Sequence, residues 1–175
     1  MARPDVIIDL PLFNTAAERL RNTGVFQQNL TNEDVAGIMS SVAGSLVAAR
    51  EDVSAKIAHM SVGIEKQQGR VSGLVVVERP LSAKISLDCV LANDNVPGRI
   101  KLASLKVDED AGWVQRGILM ALNIKGRAKK ALGDPNSAFE KALATQLEPR
   151  GVRLTKVALQ FNDRTLAIDL MGRPI

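Results

Sequence analysis

A chain of 175 residues, 46% hydrophobic and 24% charged, has the composition of one globular domain and excludes a wholly disordered protein. The net charge of +4 includes no run of five or six like charges, which excludes a basic tail for nucleic acids. Four Phe, one Trp and no Tyr predict an aliphatic core without the aromatic platforms that bind single-stranded nucleic acids. We therefore do not expect a nucleic-acid partner.

The first 29 residues are predicted to be an extension to the core. Apolar residues at 6–8 and at Leu10 indicate a short strand that Pro11 would stop. A short helix is expected over 16–21, ending at Gly24. The start of the chain lacks the charged and apolar regions of a signal peptide. We expect a cytoplasmic location if the chain is complete, and a membrane-associated or extracytoplasmic one if an N-terminal anchor was removed.

The first strong element is an amphipathic helix over about 31–50. Thr31 is a good N-cap, and Asp34 stands at the capping-box position. Leu30 and Val35 are spaced like a hydrophobic staple. The apolar stripe of this helix then recurs at spacings of three and four residues: Val35, Ile38, Met39, Val42 and Leu46.

Four strands with short connections follow and predict an antiparallel meander. Apolar and polar residues alternate over 58–64, where Ala58 opens the apolar phase, and over 85–91, while 71–77 is more continuously apolar. A turn-rich stretch at 93–98 precedes the fourth strand, 99–107. The apolar phase of that strand shifts by one residue, which predicts a β-bulge near Ala103.

A second helical region is predicted over 111–147, followed by a closing β-hairpin. Asp108, Glu109 and Asp110 are expected at its start, where carboxylates offset the helix dipole. Asp134 and Pro135 should cap a new helix after an interruption at Gly133. The hairpin consists of alternating strands at 157–161 and 166–170, joined by a turn at 162–164.

Residue chemistry gives no sign of an enzyme. The single histidine, His59, and the single cysteine, Cys89, cannot form a multi-histidine or multi-cysteine metal site or an intrachain disulfide. Dinucleotide, phosphate-loop and nucleophile-elbow motifs are absent from the sequence. We expect His59 on the polar phase of its strand and Cys89 on the apolar phase. No catalytic residue, metal or cofactor is therefore predicted.

One basic group in the second helical region has two interpretations. Lys125, Arg127, Lys129 and Lys130 lie close together in the sequence. They are expected either to pair with the C-terminal end of a helix dipole or to contact an anionic headgroup. A DNA-reading helix is not expected, because no helix-turn-helix pattern surrounds them.

The order of elements resembles a known superfamily. The helix start Leu30-Thr31-Asn32-Glu33-Asp34, the meander, the long helical region, and the hairpin stretches GVRLTKVALQF (151–161) and LAIDL (166–170) are similar to tubular lipid-binding (TULIP-like) proteins, especially small bacterial, often membrane-anchored members. The resemblance covers residues 30–172. It implies an antiparallel sheet curved around a long helix, with acyl chains held in the apolar seam between them, and no catalytic residues.

These observations predict a single α+β domain over 1–175, with its core in 30–172, that binds a lipid or another hydrophobic ligand. The expected seam residues are Val114, Ile118, Leu122, Ile85, Leu87, Leu159 and Ile168, and the basic group would contact a headgroup or a membrane surface. The alternative is a structural or protein-interaction module with a filled core. Its exposed strand edges would then offer a route to a homodimer.

Overall fold

The computed structural model describes residues 8–47, 54–79, 82–110, 112 and 123–175. Within these ranges the chain has four α-helices and two antiparallel sheets, which confirms the α+β class. The helices are α1 (Pro11–Thr23), α2 (Asn32–Val47), α3 (Ile124–Gly133) and α4 (Pro135–Leu147), with a 3-10 turn at Glu148–Arg150. The strands are β1 (Val25–Leu30), β2 (Ser54–Glu65), β3 (Gln68–Arg79), β4 (Ala83–Asn93), β5 (Ile100–Asp110), β6 (Val152–Phe161) and β7 (Leu166–Pro174). None of the described helices is long and apolar enough for a membrane span.

Strands β2 to β5 form the predicted meander, in the order β2-β3-β4-β5. Its last strand contains the predicted bulge: Val90 faces Ser104 and Leu91 faces Leu102, which leaves Ala103 as the extra residue. The strand continues to Asp110, with Glu109 opposite Ile85. The prediction that residues 108–110 begin a helix is therefore wrong, because β4 continues far enough to pair with them.

A second bulge in β2 corrects the predicted apolar phase of that strand. Ile57 faces Val75 and His59 faces Leu74, so Ala58 is the extra residue. Its side chain is exposed, although the alternation of the sequence placed it on the inner face. An extra residue shifts the side-chain phase by one position, so the inner face changes from Ile57 to Met60 across the bulge.

The smaller sheet has the order β1-β7-β6. Strands β6 and β7 form the predicted hairpin, closed by a bond from the Asn162 N–H to the Thr165 carbonyl oxygen (2.8 Å). Strand β1 was not predicted. Its polar centre, Gln27-Gln28-Asn29, has no apolar alternation, and its place is set by pairing along the whole of β1 with β7.

The predicted N-terminal strand is wrong for Ile8 to Leu10, and residues 6 and 7 lie outside the described ranges. Ile8 donates its N–H to the Gln146 side-chain oxygen (2.8 Å). The Leu10 side chain lies against Gly37 of α2, where an added Cβ would be 2.7 Å from it. These apolar residues therefore dock the chain onto helices instead of pairing in a sheet.

The helix ends follow the predicted capping chemistry. Helix α1 is longer than expected and ends, as predicted, at Gly24, whose φ of 77° suits glycine. At the start of α2 the Thr31 and Asp34 side chains each accept the other residue's backbone N–H, at 3.3 Å and 3.1 Å. Asp134 caps α4 by accepting the Ser137 N–H, with Pro135 in the first turn.

The buried side chains form two clusters. The large one contains all four phenylalanines and joins the small sheet, α1, α2, α4 and Leu132 of α3 to one end of the meander. The small one consists of Val75, Val77, Ala83, Ile85, Val107 and Ala128. It lies between the other end of the meander and α3, and it contains no aromatic side chain among the described residues.

Candidate functional site

An apolar pocket lies between α2, α3 and the inner face of the meander. The described residues that line it come from five elements: Met39, Val42 and Ala43 of α2, Met60 of β2, Gly73 and Val75 of β3, Ile85 and Leu87 of β4, and Ala128 and Leu132 of α3. Each of these residues is apolar. The pocket has a volume of about 30 Å³, roughly the space of one water molecule. It is therefore an almost closed seam.

Strands β2 and β3 form a wall of the pocket that can change its shape. Gly73 lies on the inner face of β3, and a Cβ added there would be 3.0 Å from Met60 Cε and 3.2 Å from Met60 Sδ. The Met60 side chain therefore lies across the space that Gly73 leaves open. Since a methionine side chain is unbranched and flexible, it can change rotamer at low cost. Met39 contributes a second such side chain from α2.

Helix α3 supplies the opposite wall through small and aliphatic side chains. Ala128 is completely buried, and Leu132, one turn later, is 1% exposed. These two residues are four apart, so they lie on one stripe of the helix. A larger side chain at position 128 would extend into the pocket.

The margin of the pocket is mostly aliphatic and not fully covered, and the half-buried Glu109 shares this inner face opposite Ile85. Ile57, Met60, Leu87 and Leu105 all point to the inner face, yet each is only half-buried. Inner-face residues within the large cluster, such as Val71 and Leu91, are fully buried by contrast. Solvent therefore reaches aliphatic side chains at this end of the meander, which gives an apolar molecule a route of entry.

The predicted seam residues do not all lie in the pocket. Ile85 and Leu87 line the pocket. Leu159 and Ile168 belong to the large cluster in the smaller sheet, where they are 1% and 3% exposed, and they do not line the pocket. Val114, Ile118 and Leu122 lie outside the described residues.

Sequence reasoning did not assign several pocket residues. Met39 and Val42 were recognised as an amphipathic stripe, but nothing in the sequence showed which sheet the stripe faces. Ala128 was missed because it stands among cations. The available signal was its four-residue spacing from Leu132, which is typical of a buried helix face.

The basic group occupies α3, and its four members point in different directions. Lys125 lies in the first turn of α3, away from the C-terminal end of that helix, while Lys130 lies in its last turn. Arg127 and Lys130 line an open groove between α3 and α4. At about 100° per residue, Lys125 and Lys129 lie nearest to the Ala128–Leu132 stripe. Both of these lysines are exposed.

The single histidine and the single cysteine lie on the faces of the meander that the alternation predicts. His59 is exposed on the outer face of the meander. Cys89 is 2% exposed on the inner face. Burial raises the pKa of the Cys89 thiol to about 12, and the neighbouring Asp88 carboxylate adds to the rise. Among the described residues no group of three or more His, Cys, Asp or Glu side chains could hold a metal ion.

Comparison with known proteins does not assign a family. The sequence matches no protein-family model and no curated protein. A function has to be argued from the chemistry of the site itself.

Proposed function

We propose that this chain binds an apolar ligand, such as an acyl chain, in the pocket between α2, α3 and the meander, without covalent chemistry. The observation that carries the proposal is a wall of ten apolar residues, counted among those that the structure describes, with half-buried aliphatic side chains at its margin. An acyl chain needs a dry surface of tolerant shape, because each buried methylene contributes about 0.8 kcal/mol. The orientation of such a ligand requires no polar group inside the pocket.

An acyl chain enters this pocket only if the walls of the pocket move. A volume of about 30 Å³ does not accommodate an acyl chain. The ligand would displace the Met60 side chain from Gly73 and separate α3 from the sheet. Flexible methionines and a small cluster whose described members carry no rings favour this movement, because aliphatic contacts can be exchanged for ligand contacts of the same kind.

The exposed lysines of α3 suit an anionic headgroup. Lys125 and Lys129 lie on the side of α3 nearest to the pocket stripe, so they are the members of the basic group that we assign to a headgroup or an anionic membrane surface. Arg127 and Lys130 belong to the groove on the other side of the helix. On this proposal the chain would be a distant member of the tubular lipid-binding superfamily.

The proposal is tested by filling the pocket from α3. Ala128→Phe places a ring in the space between helix and sheet, so it should weaken binding of a fluorescent 16-carbon fatty acid by about tenfold or more. Ala131→Phe is the matched control, because Ala131 lines the groove between α3 and α4 and not the pocket. Both variants are first checked for a cooperative unfolding transition.

The two variants distinguish binding in the pocket from binding elsewhere on the protein. Loss of binding in Ala128→Phe with retention in Ala131→Phe supports the pocket as the site. Equal affinity of both variants and the unaltered protein would contradict the proposal.

A filled-core interaction module is the second candidate function, and the small pocket volume favours it. It predicts that the unaltered protein does not bind the fatty acid at any accessible concentration.

A further inference from the structure

Each sheet has two edge strands, and three of the four carry features that oppose pairing with another strand. Natural sheets protect their edges with charges, bulges and covering loops. Strand β2 contains Lys56 and the bulge at Ala58, and β5 contains Lys101, Lys106 and the bulge at Ala103. These devices keep both edges of the meander from extending.

The third protected edge is β6. It contains Arg153 and Lys156, and its register with β7 shifts at Thr155. The turn before β5 also covers part of this edge, since the Leu159 N–H donates to the Gly98 carbonyl oxygen (2.8 Å). Charge, bulge and cover therefore occur together on β6.

In the part of the chain that the structure describes, strand β1 has none of these devices. Its sequence, Val25-Phe26-Gln27-Gln28-Asn29-Leu30, contains no charged residue and no proline, and it pairs with β7 without a register shift. Val25, Gln27, Gln28 and Asn29 are exposed. This edge is short but regular, uncharged and accessible.

Hydrogen bonds fix which backbone groups of β1 point away from the sheet. Gly172 donates its N–H to the Gly24 carbonyl oxygen (3.1 Å), which makes Gly24 and Gly172 a hydrogen-bonded pair. Since such pairs alternate along an antiparallel ladder, Phe26, Gln28 and Leu30 also face β7. The N–H and C=O of Gln27 and Asn29 then point outward, and they have no partner among the described residues.

The next residue toward the N-terminus supports this assignment. Val25 should also point outward, and its N–H and C=O both bond the Thr23 hydroxyl, at 3.4 Å and 3.0 Å. Thr23 therefore closes the start of the edge and leaves Gln27 and Asn29 as its open part.

We propose that β1 is a homodimer interface, in which β1 of a second copy pairs antiparallel about a two-fold axis through Gln28. In this register Gln27 of each copy faces Asn29 of the other, and each such pair exchanges both of its N–H···O=C bonds. The two small sheets then join into one continuous sheet. A second copy fits because the edge is its own complement: it is uncharged, and both members of the pair present one donor and one acceptor.

The register predicts a charge-swap experiment. Gln28 would face Gln28 of the second copy, so Gln28→Lys alone or Gln28→Glu alone places like charges opposite each other. Each variant should dimerise about fivefold more weakly than the unaltered protein, while an equimolar mixture should recover dimers as heterodimers. Sedimentation velocity over about 1 µM to 1 mM measures the unaltered protein, the two variants and their mixture.

Two further variants control the experiment. Gln27→Pro removes an outward N–H without breaking a bond to β7, so it should weaken the dimer by about tenfold and leave the fold intact. Gln160→Lys adds the same charge as Gln28→Lys to an exposed position on β6 and should leave dimerisation unchanged.

The outcomes are distinct. Weakening in both Gln28 variants with recovery on mixing supports the proposed register. A protein that stays monomeric up to the highest concentration, or a dimer that Gln28→Lys does not weaken, overturns the proposal. The fatty-acid experiment is independent of this result, since β1 does not contribute to the pocket.

Discussion

The two ends of the molecule are built from different kinds of side chain, and they differ in how well they are closed. At one end Phe13, Phe26, Phe139 and Phe161, each 3% exposed or less, pack in a cluster with residues from both sheets and all four described helices. At the other end the buried side chains that the structure describes are valine, isoleucine and alanine, and their neighbours are half-buried. The same four-stranded meander extends into both.

This difference separates a framework from a deformable region. Aromatic rings bury large areas and fit their surroundings in few ways, so they fix the relative position of the elements around them. Small aliphatic side chains bury less and can be repacked. The pocket lies where the two regions meet: its lining takes Met39, Val42 and Leu132 from the large cluster and Val75, Ile85 and Ala128 from the small one. Met60 covers Gly73 there. The aromatic end can therefore hold the fold together while the aliphatic end opens.

The largest expected effect comes from removing a ring of the aromatic end. Phe139→Ala deletes a completely buried side chain of α4 and should lower the free energy of unfolding by about 3–5 kcal/mol. Val75→Ala, in the small cluster beside the pocket, should cost about 1–2 kcal/mol, because it removes two methyl groups. Urea denaturation followed by circular dichroism measures the free energy of unfolding of both variants. Equal losses in the two would contradict the difference between the aromatic and aliphatic ends.

A smaller loss of unfolding free energy is expected at the junction between α3 and α4. Asp134 caps α4 through the Ser137 N–H and hydroxyl, at 3.4 Å and 2.7 Å. Asp134→Ala should cost about 1 kcal/mol, while Asp134→Asn keeps an acceptor and should cost less. The pKa of the Asp134 carboxyl lies below its usual value, and the hydrogen bond from the Ser137 hydroxyl is the largest cause of this shift. The cap should therefore weaken when acid titrates Asp134.

The loss of stability at high pH tests how well the inner face of the meander excludes water. Burial raises the pKa of Cys89 from its ordinary value of 9.0 to about 12, so the folded state retains the thiol proton more strongly than the unfolded state. The resulting stabilisation is complete below the ordinary pKa and is lost as pH rises toward about 12.

The matched variant isolates this contribution. Between about pH 8 and about pH 10.5 the unaltered protein should lose more stability than Cys89→Ala, which lacks the thiol. Parallel losses in the two proteins would show that Cys89 is more hydrated than its burial indicates. A thiol reagent should likewise react with Cys89 only after unfolding.

The sequence allowed most of the fold to be predicted, because local chemistry decides it. The capping box at Thr31 and Asp34, the cap at Asp134 and the phase change at Ala103 each depend on neighbouring residues. Strand β1 was missed because Gln27-Gln28-Asn29 has no apolar alternation, and only β7 gives it a partner. The bulge at Ala58 was missed because alanine fits either face of a strand.

The candidate site was harder to predict than the fold. Alternation placed Ile85 and Leu87 correctly on an inner face, but it could not show that Leu159 and Ile168 belong to a separate sheet. Sheet membership depends on pairing between distant parts of the chain. For the same reason, the sequence did not associate Ala128 of α3 with Met60 of β2.

The most direct test of a deformable apolar site is methionine methyl NMR during titration with palmitate. Met39 and Met60 line the pocket, while Met171 is 42% exposed on the smaller sheet and serves as an internal control. We predict that the Met39 and Met60 methyl signals shift and saturate while the Met171 signal stays in place. Unchanged Met39 and Met60 signals, or equal shifts at all three methyl groups, would contradict an apolar ligand site in this pocket.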